Sequence, residues 1–272
     1  MKILNGNRLD CNKIKIMQYN KGNSSFINHV QHIQNIMDLH EPHIICVSEA
    51  NIKRKDSNNI LNHFPGYNLE TNLQYEKIGI SRNCIIVKEG IKYSRRRDLE
   101  DNINCDIWLQ ISNGGKKNSL ICGSYRQWSL LKEMGVKDSG SIKNQDIRYQ
   151  KSIENWQKAL DENRETLFLA DDNIDSNINS DINKKYKTFS MQQLLQEHLT
   201  KNNLIQHNHE NTRYVRHQKD SCIDHLYSNV ANKITDVRTH RNAFSDHAFI
   251  TAVYHSKEQI YNPKFLKTRD FR

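Results

Sequence analysis

Six short polar motifs are spread along this chain: Tyr19-Asn20, Ser48-Glu49, Tyr125-Arg126, Asp171-Asp172-Asn173, Ile223-Asp224-His225 and Ser245-Asp246-His247. Most follow a short apolar run, the pattern of buried strands that deliver side chains to one rim of a sheet. Carboxylates, amides and a histidine gathered on one rim are what metal-assisted attack on a phosphodiester requires. Magnesium, with manganese as its possible substitute, takes hard oxygen ligands and needs only one or two protein carboxylates. Glu49, directly after the apolar run 43–47, is placed for that role, although an acid at a strand end is by itself usually just surface. Asn20 stands in the same relation to the first run, where an amide can orient a carboxylate or a metal-bound water. Asp246 is a candidate for a metal-linked or histidine-supporting acid.

Asp171-x-Asn173 follows the run 166–169. An aspartate there can accept a proton from an attacking water while Asn173 donates to the scissile phosphate. The competing reading is an Asx-type turn. Asp172 and Asp175 crowd the segment with acid, so part of it is expected to bind metal or point outward. Asp224 and His247 form a natural pair, because a carboxylate on one imidazole nitrogen fixes the tautomer and raises the basicity of the ring. His225, adjacent to Asp224, points to the opposite face of a strand.

The elements that must position these residues follow from periodicity. Residues 13–19 alternate as a strand, and Phe26, Val30, Ile33 and Met37 recur at helical spacing up to Pro42. With the strand 43–47 this makes a β-helix-β unit and an α/β layer. Residues 51–75 read as loop. Strands are expected at 83–87, 106–111 and 119–125, with Asn113-Gly114-Gly115 as a hairpin signal, and a polar loop at 131–144. Tyr149, Ile153, Trp156 and Leu160 mark a second helix before the strand 166–169, and a third lies near 191–199. Short strands follow at 222–227, 234–239 and 247–254. The order predicts two sheets packed face to face, helices outside and loops at one rim. A polar extension (1–12), one domain (13–256) and a polar tail (257–272) complete the organisation.

The net charge of +9 over 272 residues favours a polyanionic partner, and Lys53-Arg54-Lys55, Arg95-Arg96-Arg97 and Arg213/Arg216/Lys219 lie outside the apolar runs. Charge runs are usually solvated faces, so this is support rather than proof. Cysteines 11, 46, 84, 105, 122 and 222 show no CxxC spacing and suit reduced, buried thiols. His207-x-His209 lacks a matching pair for zinc. No signal peptide and no apolar stretch long enough to span a membrane occur, so a non-secreted, intracellular protein is expected.

Taken in order, the motifs resemble the endonuclease/exonuclease/phosphatase superfamily over residues 14–254. Tyr19-Asn20 resembles its first-strand Asn, Ser48-Glu49 its metal-binding Glu, Tyr125 its phosphate-contacting Tyr, and Asp171-x-Asn173 its Gly-Asp-x-Asn. Ser221-x-Ile223-Asp224-His225 and Ser245-Asp246-His247 resemble its last two motifs. The resemblance implies a DNase I-like fold: a four-layer α/β sandwich of two facing mixed β-sheets flanked by helices. Within the superfamily the chain is most similar to the endonuclease domain of non-LTR (LINE-type) retrotransposons, on its Ser-x-Ile-Asp-His form, its Arg148…Trp156…Leu160 helix and Thr212-Arg213. That implies a Mg²⁺-dependent enzyme nicking double-stranded DNA in the nucleus after cytoplasmic synthesis. A linked reverse transcriptase would extend the 3′-hydroxyl, with Arg126, Thr212, Arg213 and Ser221 as DNA-contacting candidates. Ala170 in place of the usual Gly, acidic Asp172 at a commonly apolar position, and Arg126-Gln127-Trp128 after Tyr125 depart from the repair enzymes. An apurinic endonuclease, a lipid or inositol-phosphate phosphatase, and a catalytically dead binding module stay open as alternatives.

Overall fold

The computed structural model describes residues 12–256, apart from 23, 113–117, 131–139, 178–179, 181–182 and 185–186. The N-terminal extension up to residue 11, the hairpin signal at 113–115, most of the 131–144 loop and the tail from 257 therefore lie outside the described residues.

Two six-stranded sheets face each other. In spatial order the first holds β11 (Ile234–His240), β12 (Phe249–His255), β1 (Lys13–Asn20), β2 (Ile44–Lys53), β4 (Ile80–Lys88) and β3 (Tyr67–Thr71). The second holds β5 (Tyr93–Arg95), β6 (Ile107–Ile111), β7 (Ser119–Tyr125), β8 (Thr166–Asp171), β10 (Asp224–Ser228) and β9 (Ile205–Gln206). Each sheet contains one parallel pair, β1 with β2 and β7 with β8, and is otherwise antiparallel. Parallel neighbours need a crossover, and helices supply it. Helix α1 (Val30–His40) joins β1 to β2, and α4 (Ile142–Leu160) lies between β7 and β8.

Strand alternation sorts the apolar residues into three cores. Ile14 and Ile16 of β1 enter the space between the sheets with Ile44, Cys46, Ile85, Ile121, Leu167, Leu169 and Leu226. Met17 and Tyr19, out of phase, face Val30, Ile33 and Met37 of α1. On the far side, Trp108, Phe168 and Tyr227 pack against Tyr149, Ile153 and Trp156 of α4 and Met191 and Leu195 of α5 (Phe189–Lys201). The four-layer DNase I-like sandwich expected from the sequence is the observed fold.

Boundaries differ where backbone irregularity breaks the period. Residues 51–75 are not a loop: β2 runs on to Lys53, followed by α2 (Ser57–Asn62), β3 and α3 (Leu73–Ile78). A bulge between Ser48 and Ile52 conceals the end of β2, since register slips there. Helix α4 starts inside the stretch read as loop, where Ser141 Oγ accepts the Asn144 N–H at 3.3 Å. Strand β10 begins at Asp224 rather than 222, because the Ile223 and Asp224 N–H groups donate to the Thr212 hydroxyl instead of a ladder. The three-residue β5 has no period to read. The five described cysteines, 46, 84, 105, 122 and 222, are buried, as expected.

Spacing between the sheets depends on Gly123 of β7. A methyl group there would stand 2.7 Å from Cys46 Sγ and 3.0 Å from Ile85 Cδ1, both at the centre of the inter-sheet core. Gly123→Ala is therefore expected to destabilise by about 1–3 kcal/mol through overpacking. A lowered urea midpoint with unchanged slope would register it, and a midpoint equal to wild type would refute it.

Candidate active site

The face that is apolar at mid-sheet turns polar at one rim. In phase with Ile14 and Ile16, β1 continues with Gln18 and Asn20; in phase with Leu167 and Leu169, β8 ends on Asp171; in phase with Leu226, β10 begins on Asp224. Asn20 Nδ2 donates to Asp171 Oδ2 at 2.7 Å and Gln18 Nε2 to Asp224 Oδ1 at 3.0 Å, so both bonds bridge the two sheets. Gln18 was not singled out in the sequence. Its signal was a polar residue on the inward phase of an otherwise apolar strand.

Asp224 Oδ2 lies 2.7 Å from His247 Nδ1, and the other ring nitrogen is 3.5 Å from Asn20 Nδ2. Burial alone would lower the His247 pKa, but the charge and hydrogen bond of Asp224, with Asp171 and Asp246, raise it to about 9. The ring is thus an imidazolium at neutral pH, with Nε2 free to donate. Asp171 is raised well above the usual carboxylate range by burial and by the Asp224 charge. Around the ring, Ser245 Oγ accepts the His247 N–H at 3.0 Å and donates to Asn20 O at 2.8 Å, while Asn242 Nδ2 donates to His247 O at 2.7 Å. His225 faces away: its Nε2 sits 3.1 Å from Ile174 O and its ring stacks on Tyr227.

Glu49 reaches the same rim by a different route. Strict alternation after Val47, which faces α1, would send residue 49 toward the helix layer. Instead Glu49 and Asn51 take left-handed backbone with φ of 52° and 50°, within the bulge. Bulges re-aim side chains in this way beside functional sites. The carboxylate lines the cleft, and the Tyr125 hydroxyl donates to its Oε1 at 3.4 Å. Burial keeps that phenol protonated, with the pKa raised well past its usual value.

The acidic segment resolves into opposite faces. Asp171 Oδ1 accepts the Asn173 N–H at 3.2 Å, an Asx turn that leaves Asn173 at φ 51°. Asp172 does not point outward: it is buried in the helix-side layer, where Tyr227 donates to Oδ2 at 3.1 Å. Arg126, expected at DNA, is likewise turned inward. It is buried, donating through Nε to Asp172 O, through Nη2 to Asn173 O at 2.9 Å and through Nη1 to Gln145 Oε1 at 2.7 Å. Asn173 Nδ2 returns a bond to Arg126 O at 3.1 Å, so the arginine braces the Asp171–Asn173 turn from behind.

Gly22, Glu49, Trp128, Asn173, Arg213, Asp246 and His247 line an open cleft of about 430 Å³. Asp246 is ion-paired to Arg213 at 3.3 Å. Thr212 and Ser221, expected at DNA, are both buried. Thr212 Oγ1 instead accepts the Asp224 N–H at 2.9 Å, and Ser221 pairs by its backbone with Arg213. Asn20, expected near a metal, has its amide engaged on both sides, since Oδ1 accepts the Gly22 N–H at 2.7 Å. Its Nδ2 bond orients Asp171. No group of three His, Cys, Asp or Glu among the described residues forms an all-protein cage. A hard carboxylate oxygen turned into an open cleft fits Mg²⁺.

No family model matches the chain, and no curated protein matches it in sequence. Its fold is shared with solved structures. The endonuclease domain of TRAS1, a telomere-specific non-LTR retrotransposon, superposes with a TM-score of 0.63 at 14% identity, covering 90% of this chain and 100% of that one. AP endonuclease LMAP from Leishmania major gives 0.69 at 11% identity, covering 90% and 88%. A mannosyl-6-phosphatase from Bacteroides thetaiotaomicron gives 0.56 at 11%, covering 88% and 98%.

The inward turn of Asp172 has a measurable consequence. Burial, only partly offset by the Tyr227 hydrogen bond and the Arg126 charge, raises its pKa to about 7. An acid with a raised folded-state pKa loses stability as pH climbs from its unfolded value near 3.8 through 7. The stability of Asp172→Asn relative to wild type should then improve over that window, by on the order of a few kcal/mol, and level off above it. A pH-independent difference in urea unfolding would contradict the assignment.

Proposed function

We propose that the chain is a Mg²⁺-dependent DNA endonuclease that nicks target DNA for a non-LTR retrotransposon, acting in the nucleus. One observation carries the phosphodiester chemistry: Glu49, Asn173, Asp246 and His247, from three of the six motifs, line one cleft, and the other three motifs are tied to them by the Asn20–Asp171, Tyr125–Glu49 and Asp224–His247 bonds. The retrotransposon assignment is supported by the Ser221-x-Ile223-Asp224-His225 form and by the fold shared with the TRAS1 domain. The basic net charge of +9 suits a polyanionic substrate.

Asp171, held by Asn20, accepts the proton of the attacking water. His247 donates from Nε2 to a phosphate oxygen, while Asp224 holds the other nitrogen and the positive charge in place. Asn173 keeps one of its two amide protons on Arg126 O and presents the second to the phosphate. Glu49, with Asp246 as the second candidate acid, would hold Mg²⁺, which supplies Lewis-acid charge to the phosphate oxygens when bound. Arg213 at the cleft wall offers a phosphate contact.

Supercoiled plasmid should be nicked in the presence of Mg²⁺, leaving 3′-hydroxyls that a polymerase extends. Asp171→Ala and His247→Ala should each lower the rate by about 10²–10⁴-fold. Undiminished nicking by either variant would sink the assignment. Strong preference for an abasic duplex over intact DNA would move it to a repair enzyme. Release of inorganic phosphate from phosphomonoesters without nicking would move it to a phosphatase, and DNA binding without any cleavage to a catalytically dead module.

A further inference from the structure

The bulge that turns Glu49 into the cleft leaves residues 49–51 of β2 opposite a single residue of β4, Arg82, since Ser48 pairs with Asn83 and Ile52 with Ser81. Arg82 Nη2 donates to the Tyr125 hydroxyl at 2.8 Å, its one hydrogen bond among the described residues, and its Nε is buried without a partner. The guanidinium therefore stops at the phenol of Tyr125 instead of closing an ion pair with Glu49. A guanidinium carries donors only, whereas a phenol has one proton and two lone pairs. Once Arg82 fills a lone pair, the Tyr125 proton must be directed elsewhere. The acceptor in reach is Glu49 Oε1, 3.4 Å away at the cleft wall.

We propose that Arg82 is a positioning residue for the reaction: by donating to Tyr125 it fixes that hydroxyl as a donor toward Glu49 and the cleft. This rests on the phosphodiesterase reading of the cleft given above. Without Arg82 the Tyr125 hydroxyl is free to rotate, and its proton is no longer committed to the side where substrate and metal meet Glu49. Outer partners of this kind typically change activity by about 10- to 100-fold without touching substrate.

A double-mutant cycle separates this role from general support of the fold. Wild type, Arg82→Met, Tyr125→Phe and the double variant are compared in single-turnover nicking of a defined duplex at saturating Mg²⁺. Duplex affinity is measured separately by fluorescence anisotropy in EDTA. Arg82→Met should slow nicking at least about 10-fold while duplex affinity stays within about 2-fold. In the Tyr125→Phe background the same change should cost less than about 2-fold, because the hydroxyl it directs is gone. Arg82→Lys, which can still donate to the phenol, should recover part of the rate. Multiplicative losses, or a loss confined to duplex affinity, would overturn the role of Arg82 while leaving the nuclease intact. A wild-type protein that nicks no DNA would instead remove the reading on which it rests.

Discussion

Everything at this rim depends on placing carboxylates at the end of an apolar sandwich without leaving them uncompensated. Asp171 and Asp224 are fully buried on the inward face of one sheet. An isolated buried carboxylate would stay protonated and useless. Two amides from the facing sheet, Asn20 and Gln18, and one imidazolium, His247, provide what water otherwise would. Because those partners come from the opposite sheet, the site exists only when the two sheets close. The Asn20–Asp171 bond is therefore a structural staple and a chemical one together. This explains why the inward residue of β7 opposite Cys46 is a glycine: sheet spacing and site geometry are the same variable.

Much of this was legible because strands have a period of two. Once 13–19 and 166–169 are read as strands, Asn20 and Asp171 fall on predictable phases, and His225 separates from Asp224 by the same rule. The layered order followed from β-helix-β spacing for the same reason. What period cannot carry is a break in itself. The bulge at Ser48–Ile52 has no compositional mark, so the route by which Glu49 reaches the cleft was invisible. The inward turns of Arg126 and Asp172 were missed because charge suggests solvent. Each of them instead meets polar partners in the helix-side layer, as buried charges must. Thr212 and Ser221 are buried beside the Asp224 motif, Thr212 accepting the Asp224 N–H and Ser221 pairing by its backbone with Arg213.

The fold by itself does not select the chemistry. Structures with this architecture include a retrotransposon endonuclease domain, an AP endonuclease and a sugar phosphatase, at identities of 14%, 11% and 11%. Here the cleft wall carries Trp128 beneath the buried Arg126, and Arg213 paired with Asp246. Of these two arginines only Arg213 lines the opening.

Two residues of the cleft wall, Glu49 and Asn173, hold left-handed backbone without being glycine. Such a conformation costs about 1–2 kcal/mol for an L-residue, with Asn the more tolerant. It persists where the surroundings over-determine it. Other positive-φ residues include Glu41, which ends α1 with its N–H on Met37 O at 2.7 Å, where a turn explains it, and Asp236, which sits at the register shift of β11. At the cleft no chain reversal demands it for Glu49, which lies within a strand. The restraint is local: three residues facing Arg82, and a phenol held by that arginine against the carboxylate. Asn173 is restrained in parallel by Asp171 in front and Arg126 behind. Two buried or half-buried arginines thus stand behind the two strained residues, each bracing a polar side chain it does not accompany into the cleft. Positive charge behind this cleft serves as scaffolding.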